Sequence, residues 1–81
     1  MDAYIVVIST LAKSEKGINL EKARLNEAFS ILTTVKGVNP DNIVTATSNK
    51  KADGLGRIDF FLGGELFLRS FAKPGRNICL Q

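Results

Sequence analysis

Apolar residues fall in separate blocks along this chain, and their spacing changes from block to block. Residues 4–8, Tyr-Ile-Val-Val-Ile, form a continuous β-branched run without alternation. Such a run predicts a central strand covered on both faces. A ten-residue connection over 9–18 follows, long for a strand-to-helix link and read as a slack connector. Across residues 19–37 the spacing becomes helical. Leu25, Ala28, Phe29, Leu32 and Val35 recur at three- and four-residue steps, with Ile31 on the flank. Asn19 is placed to cap the N-terminus, and Glu21 lies near the positive end of the helix dipole. Lys36 sits at the opposite end, Gly37 suits the left-handed stop, and Pro40 bars continuation. The other face, with Lys22, Asn26, Ser30, Thr33 and Thr34, is polar but poor in charge and reads as a solvated surface.

After a turn cluster over 38–42, residues 43–47 give a second β-branched strand. Residues 48–56, SNKKADGLG, read as an exposed loop with a basic tip. Two strand-like runs, 58–62 and 65–71, are then joined by Gly63-Gly64, the signature of a tight hairpin. A two-residue turn sets Leu62 opposite Glu65, Phe60 opposite Phe67 and Ile58 opposite Arg69. One face of the hairpin then shows Ile58, Phe60, Leu62, Phe67 and Phe71. The other shows Phe61, Leu66 and Leu68, with Arg57, Asp59 and Ser70. Residues 72–76 turn the chain, and 77–80 fit a short edge strand. The expected fold is α+β: one domain spanning 1–81, βαβββ, with one helix on one face of a mostly antiparallel sheet.

Length sharpens this picture. A chain of 81 residues buries only about 60–65% of its unfolded surface, so its core is marginal. A single helix shields one face of a small sheet, yet both faces of the hairpin are apolar near its turn. Phe61, Leu66 and Leu68 are left over, and burying side chains of that size is worth roughly 1.5–3 kcal/mol each. Contiguous exposed apolar patches mark interfaces. The expected partner is another protein or a second copy of the chain, contacted through Phe61, Leu66 and Leu68 with Arg57 and Arg69 at the rim.

Charge adds a second reading. The bases Lys13, Lys16, Lys22, Arg24 and Lys36 are matched by Asp2, Glu15, Glu21, Glu27 and Asp41, so the net +3 arises entirely beyond Ser48. There Lys50, Lys51, Arg57, Lys73 and Arg76 could form a patch that tracks phosphates, the alternative being a nucleic-acid-binding module. The sheet phenylalanines could stack bases, but Arg57-Ile58-Asp59-Phe60-Phe61 does not match the motif of RNA-recognition domains, and core packing accounts for these rings.

Candidate chemistry is sparse. The chain has no histidine, which removes the commonest general base and metal ligand. Cys79, the only cysteine, has no partner for a disulfide or metal site and reads as a small apolar residue. Asp53 and Asp59 lack a third ligand, and Gly54-Leu55-Gly56-Arg57 leads into a strand rather than a helix N-terminus, so it is no phosphate cradle. No catalytic residue, metal or cofactor is expected. The absence of a signal-peptide pattern or a membrane-length apolar run leads to the expectation of a soluble, cytoplasmic protein. The function expected is non-enzymatic: a small regulator or inhibitor that docks on a larger protein, with homodimer formation open. Phages and mobile elements often encode compact domains of this size, an association only.

Overall fold

The β-branched run near the start forms β1 (Ile5–Thr10), and it is central as expected. In the computed structural model, which describes residues 4–72, β1 lies in a four-stranded mixed sheet. The other strands are β2 (Ile43–Thr47), β3 (Arg57–Leu62) and β4 (Glu65–Phe71), in the order β2-β1-β3-β4. β1 pairs in parallel with β2 and antiparallel with β3, and β3 and β4 form the antiparallel hairpin. A helix, α1 (Ile18–Ser30), connects β1 to β2 and packs on one face of the sheet. The fold is α+β. The edge strand expected over 77–80 lies outside the described residues.

α1 departs from the sequence reading at both ends. Its N-cap is Gly17, at φ 98°, and no side chain caps the first turn. The left-handed backbone of Gly17 turns the chain sharply into the helix, so Asn19 already lies inside it and is exposed. At the other end the helix widens into a π turn, Ile31–Val35. The Lys36 N–H donates to the Ile31 carbonyl at 3.1 Å, and the Val38 N–H to that of Leu32 at 2.9 Å. The Thr33 hydroxyl donates to the Phe29 carbonyl at 2.9 Å, satisfying an acceptor where the ladder changes pitch. A π turn takes an extra residue per turn, which carries Val35 off the apolar stripe and leaves it 70% exposed. Gly37 then ends the helix at φ 71°, as expected.

The core forms where α1 meets the sheet. Val7, Leu25, Ala28, Ile58, Phe60 and Ala72 are buried together, with Ile5, Leu32 and Ile43 packed against them. Pairing sets Ile5, Val7 and Ser9 of β1 in line with Leu62, Phe60 and Ile58 of β3, so these residues share the helix-facing side.

The hairpin contains the largest correction. Gly63 and Gly64 adopt φ 61° and 83°, the left-handed pair that a two-residue turn requires, and Leu62 pairs with Glu65 as expected. Phe61 pairs with Leu66, but Phe60 pairs with Leu68, leaving Phe67 as an extra residue in a β-bulge. Beyond the bulge, Asp59 faces Arg69, Ile58 faces Ser70 and Arg57 faces Phe71. One inserted residue reverses every later side chain. Leu68 therefore joins the helix-facing side, and Phe71 moves to the open side.

The loops between elements are pinned, not slack. Ala12 and Ala52 form a parallel bridge beyond the end of β1 and β2. The Ala52 N–H donates to the Leu11 carbonyl at 2.8 Å, and the Lys13 N–H to that of Ala52 at 3.2 Å. The stretch 48–56, expected to be an exposed loop, is thus tied to the stretch after β1.

Candidate functional site

The sheet face turned away from α1 has no described element packed over it. Pairing places Val6 and Ile8 of β1, Val44 of β2, Phe61 of β3, and Leu66 and Phe71 of β4 on it. Phe61 is half-buried among its neighbours, whereas Val44, Leu66 and Phe71 are exposed at 47%, 44% and 55%. Because α1 occupies the opposite side, no described element covers these side chains.

Asp59 lies on this same face, opposite Arg69 and one pleat from Arg57. Its carboxylate is buried and fully engaged. Arg69 donates through Nε to Oδ1 at 2.7 Å and through Nη2 to Oδ2 at 3.3 Å. Arg57 donates through Nε to Oδ2 at 3.2 Å. Hydrogen bonding to Asp59 raises the Arg69 guanidinium above its ordinary value, partly opposed by burial and further supported by charge attraction. Arg69 therefore stays charged at any working pH. Two positive charges meet one negative charge, so the cluster keeps a net positive charge. The side chains of Arg57 and Arg69 are 29% and 40% exposed, leaving the rest of each guanidinium accessible from outside.

The predicted partner-binding residues are thus divided between two faces. Phe61, Leu66, Arg57 and Arg69 share the open face. Leu68 does not: the bulge turns it toward α1, where it is 48% exposed, and Phe71 stands on the open face in its place. Sequence spacing alone could not place Phe71, because hairpin alternation without a bulge assigns it to the helix side.

The basic residues of the alternative reading are only partly gathered. Lys51 donates from Nζ to the Glu15 carbonyl at 2.8 Å, and Lys50 is exposed in the same loop. Arg57 is committed through Nε to Asp59. Lys73 and Arg76 lie outside the described residues.

Beneath this loop is a cluster that sequence reasoning missed. Arg24 of α1 is fully buried and makes a two-pronged ion pair with Glu15, Nη1 to Oε1 at 3.0 Å and Nη2 to Oε2 at 2.6 Å. Oε1 also accepts the Ala12 N–H at 2.9 Å. Gly56 lies directly against the pair: a Cβ there would sit 2.5 Å from Arg24 Nη1 and 2.6 Å from Glu15 Oε1. One signal was present, since Arg24 lies four residues before Ala28, inside the apolar stripe. This cluster is enclosed and closes the loops on the helix.

Among the described residues no group of three or more His, Cys, Asp or Glu could hold a metal ion, and no helix is long and apolar enough to cross a membrane. No family model, curated protein or solved structure matches this chain.

Proposed function

We propose that this chain is a non-enzymatic binding protein, a cytoplasmic regulator or inhibitor that docks on a larger protein through its open sheet face. One observation carries the reading: Leu66 and Phe71 are exposed on either side of the Arg57–Asp59–Arg69 cluster, with no described element over them. Exposed apolar side chains interspersed with arginine have the composition of a protein interface. The contacts are Phe61, Leu66 and Phe71, with Arg57 and Arg69 supplying charge. The net positive cluster favours a partner that brings a carboxylate. A second copy bound face to face would oppose two like-charged clusters, so a different protein fits better than a homodimer.

The test compares the tagged chain with a Leu66→Glu/Phe71→Glu variant in affinity purification from the native host, after circular dichroism shows that both fold. A protein retained by the parent chain and lost by the variant supports the reading. Retention by both sinks it. The same preparations, titrated with a mixed oligonucleotide at two salt concentrations, test the nucleic-acid reading. Tight, steeply salt-dependent binding would replace a protein partner with a phosphate backbone.

A further inference from the structure

On the opposite side of the sheet, α1 covers β1, β2 and β3 but leaves β4 uncovered. Between the π turn and β4 is a pocket of about 410 Å³, open on one side and separate from the docking face. Ile31 and Leu32 line it on one wall, and Phe60, Phe67 and Leu68 on the other. Ile5 and Val38 complete the apolar lining, and among the described residues Lys36 supplies the only charge.

Both walls are built from the fold's backbone irregularities. In a regular helix Val35 would continue the stripe toward the sheet. The π turn instead swings it into solvent, while Ile31, Leu32 and Lys36 stay around the cavity. In a regular hairpin Phe67 and Leu68 would point to opposite faces. The bulge sends both to the pocket, with the Phe67 ring 6.2 Å from that of Phe60. π turns and bulges each recur next to functional sites, because each redirects side chains at a cost in regular hydrogen bonding. Here they face each other across one cavity. Its volume falls in the range of roughly 300–1,000 Å³ typical of small-molecule sites, and its composition, apolar with one polar group, is also typical of them.

We propose that this pocket binds a small amphipathic carboxylate, such as a medium-chain fatty acid, with its apolar body against Phe60, Phe67 and Leu68 and its carboxylate at the Lys36 ammonium. Charge complementarity selects the head group. Lys36 has no ion-pair partner among the described residues, and no acidic side chain lines the cavity. The concave shape selects a small molecule over a flat protein surface.

The test titrates decanoate, below its micelle concentration, into the ¹⁵N-labelled full chain. Saturable shifts at the amides of Ile31, Leu32, Val38, Phe67 and Leu68 are expected. Lys36→Glu should weaken decanoate about five- to tenfold, the scale of removing and reversing one exposed charge contact. The same variant should leave decanol binding unchanged, which separates loss of the charge from loss of the pocket. Because Lys36 is exposed, the variant should fold normally. Any of several results would overturn the proposal. They are no saturable shift, equal decanoate affinity in both proteins, shifts confined to the open sheet face, or concentration-dependent broadening of the pocket amides, which would mean that a second copy fills the cavity.

Discussion

The described residues contain two arginine–carboxylate clusters, in opposite surroundings. Glu15 and Arg24 are enclosed, with side-chain exposures of 4% and 0%. Asp59 is equally buried, but its arginines reach outward from the open sheet face. In the first cluster the opposite charges hold the loop after β1 against α1. In the second, one carboxylate fixes two guanidiniums and leaves their outer donors accessible. A buried pair works as a latch. A carboxylate that orients exposed arginines suits the base of the proposed recognition surface. The difference lies in which partner faces water, not in the kind of bond.

Breaking the latch should have the largest effect. Arg24→Ala leaves Glu15 charged and buried without its partner, at a cost of about 3–5 kcal/mol. In so small a domain, much of the folded population should be lost, read as a drop in the urea midpoint. Replacing both partners, Glu15→Leu with Arg24→Met, should recover most of that loss, because the desolvation cost disappears with the charges. If the double variant is as unstable as the single one, the cluster is not acting through its charges.

Gly56→Ala sharpens the same comparison without removing a charge. The added methyl would overlap Arg24 Nη1 and Glu15 Oε1, with the Thr10 carbonyl at 3.2 Å behind it. Both side chains are confined, so the expected cost is about 1–3 kcal/mol by thermal or urea unfolding. A neutral result would show that the ion pair shifts more freely than its burial implies.

On the open face, Asp59→Ala should cost only about 1 kcal/mol or less in stability, since water can reach both arginines. Its effect on docking should be larger. Without Asp59, neither guanidinium is held in place, and affinity for the partner should fall while the midpoint barely moves. A loss of stability matching that of Arg24→Ala would erase the distinction between latch and recognition surface.

The sequence revealed the α+β plan because its main signals are local. The β-branched run of β1, the helical stripe through Leu25, Ala28 and Leu32, and the Gly63-Gly64 turn each declare themselves within a few residues. The surplus of apolar surface was legible too, as a matter of counting. Its distribution was not. A bulge at Phe67 has no local signal in Glu65-Leu66-Phe67-Leu68, yet it exchanges the faces of Leu68 and Phe71. The π turn was hidden similarly, since Thr33 and Thr34 read as ordinary solvated positions. Glu15 gave no sign of burial, because its partner is nine residues away on another element. Pairings across the fold decide such cases, and periodicity does not report them.

The smallest effect should come from the remaining ion pair among the described residues, between Lys13 and Asp53. Their separation is 2.8 Å, as close as the bonds of the buried latch, and the pair joins the loop after β1 to the 48–56 stretch. Yet the side chains are 69% and 92% exposed. Coulomb attraction in water is weak, and ordering two mobile side chains offsets most of it. Lys13→Ala should therefore change stability by no more than about 0.5 kcal/mol, and added salt should leave the difference between variant and parent unresolved. The backbone bridge between Ala12 and Ala52 holds these loops whether or not the ammonium is present. A cost above about 1 kcal/mol would mean that the surface pair, not the enclosed one, closes the loops, and the roles assigned to burial would have to be reversed.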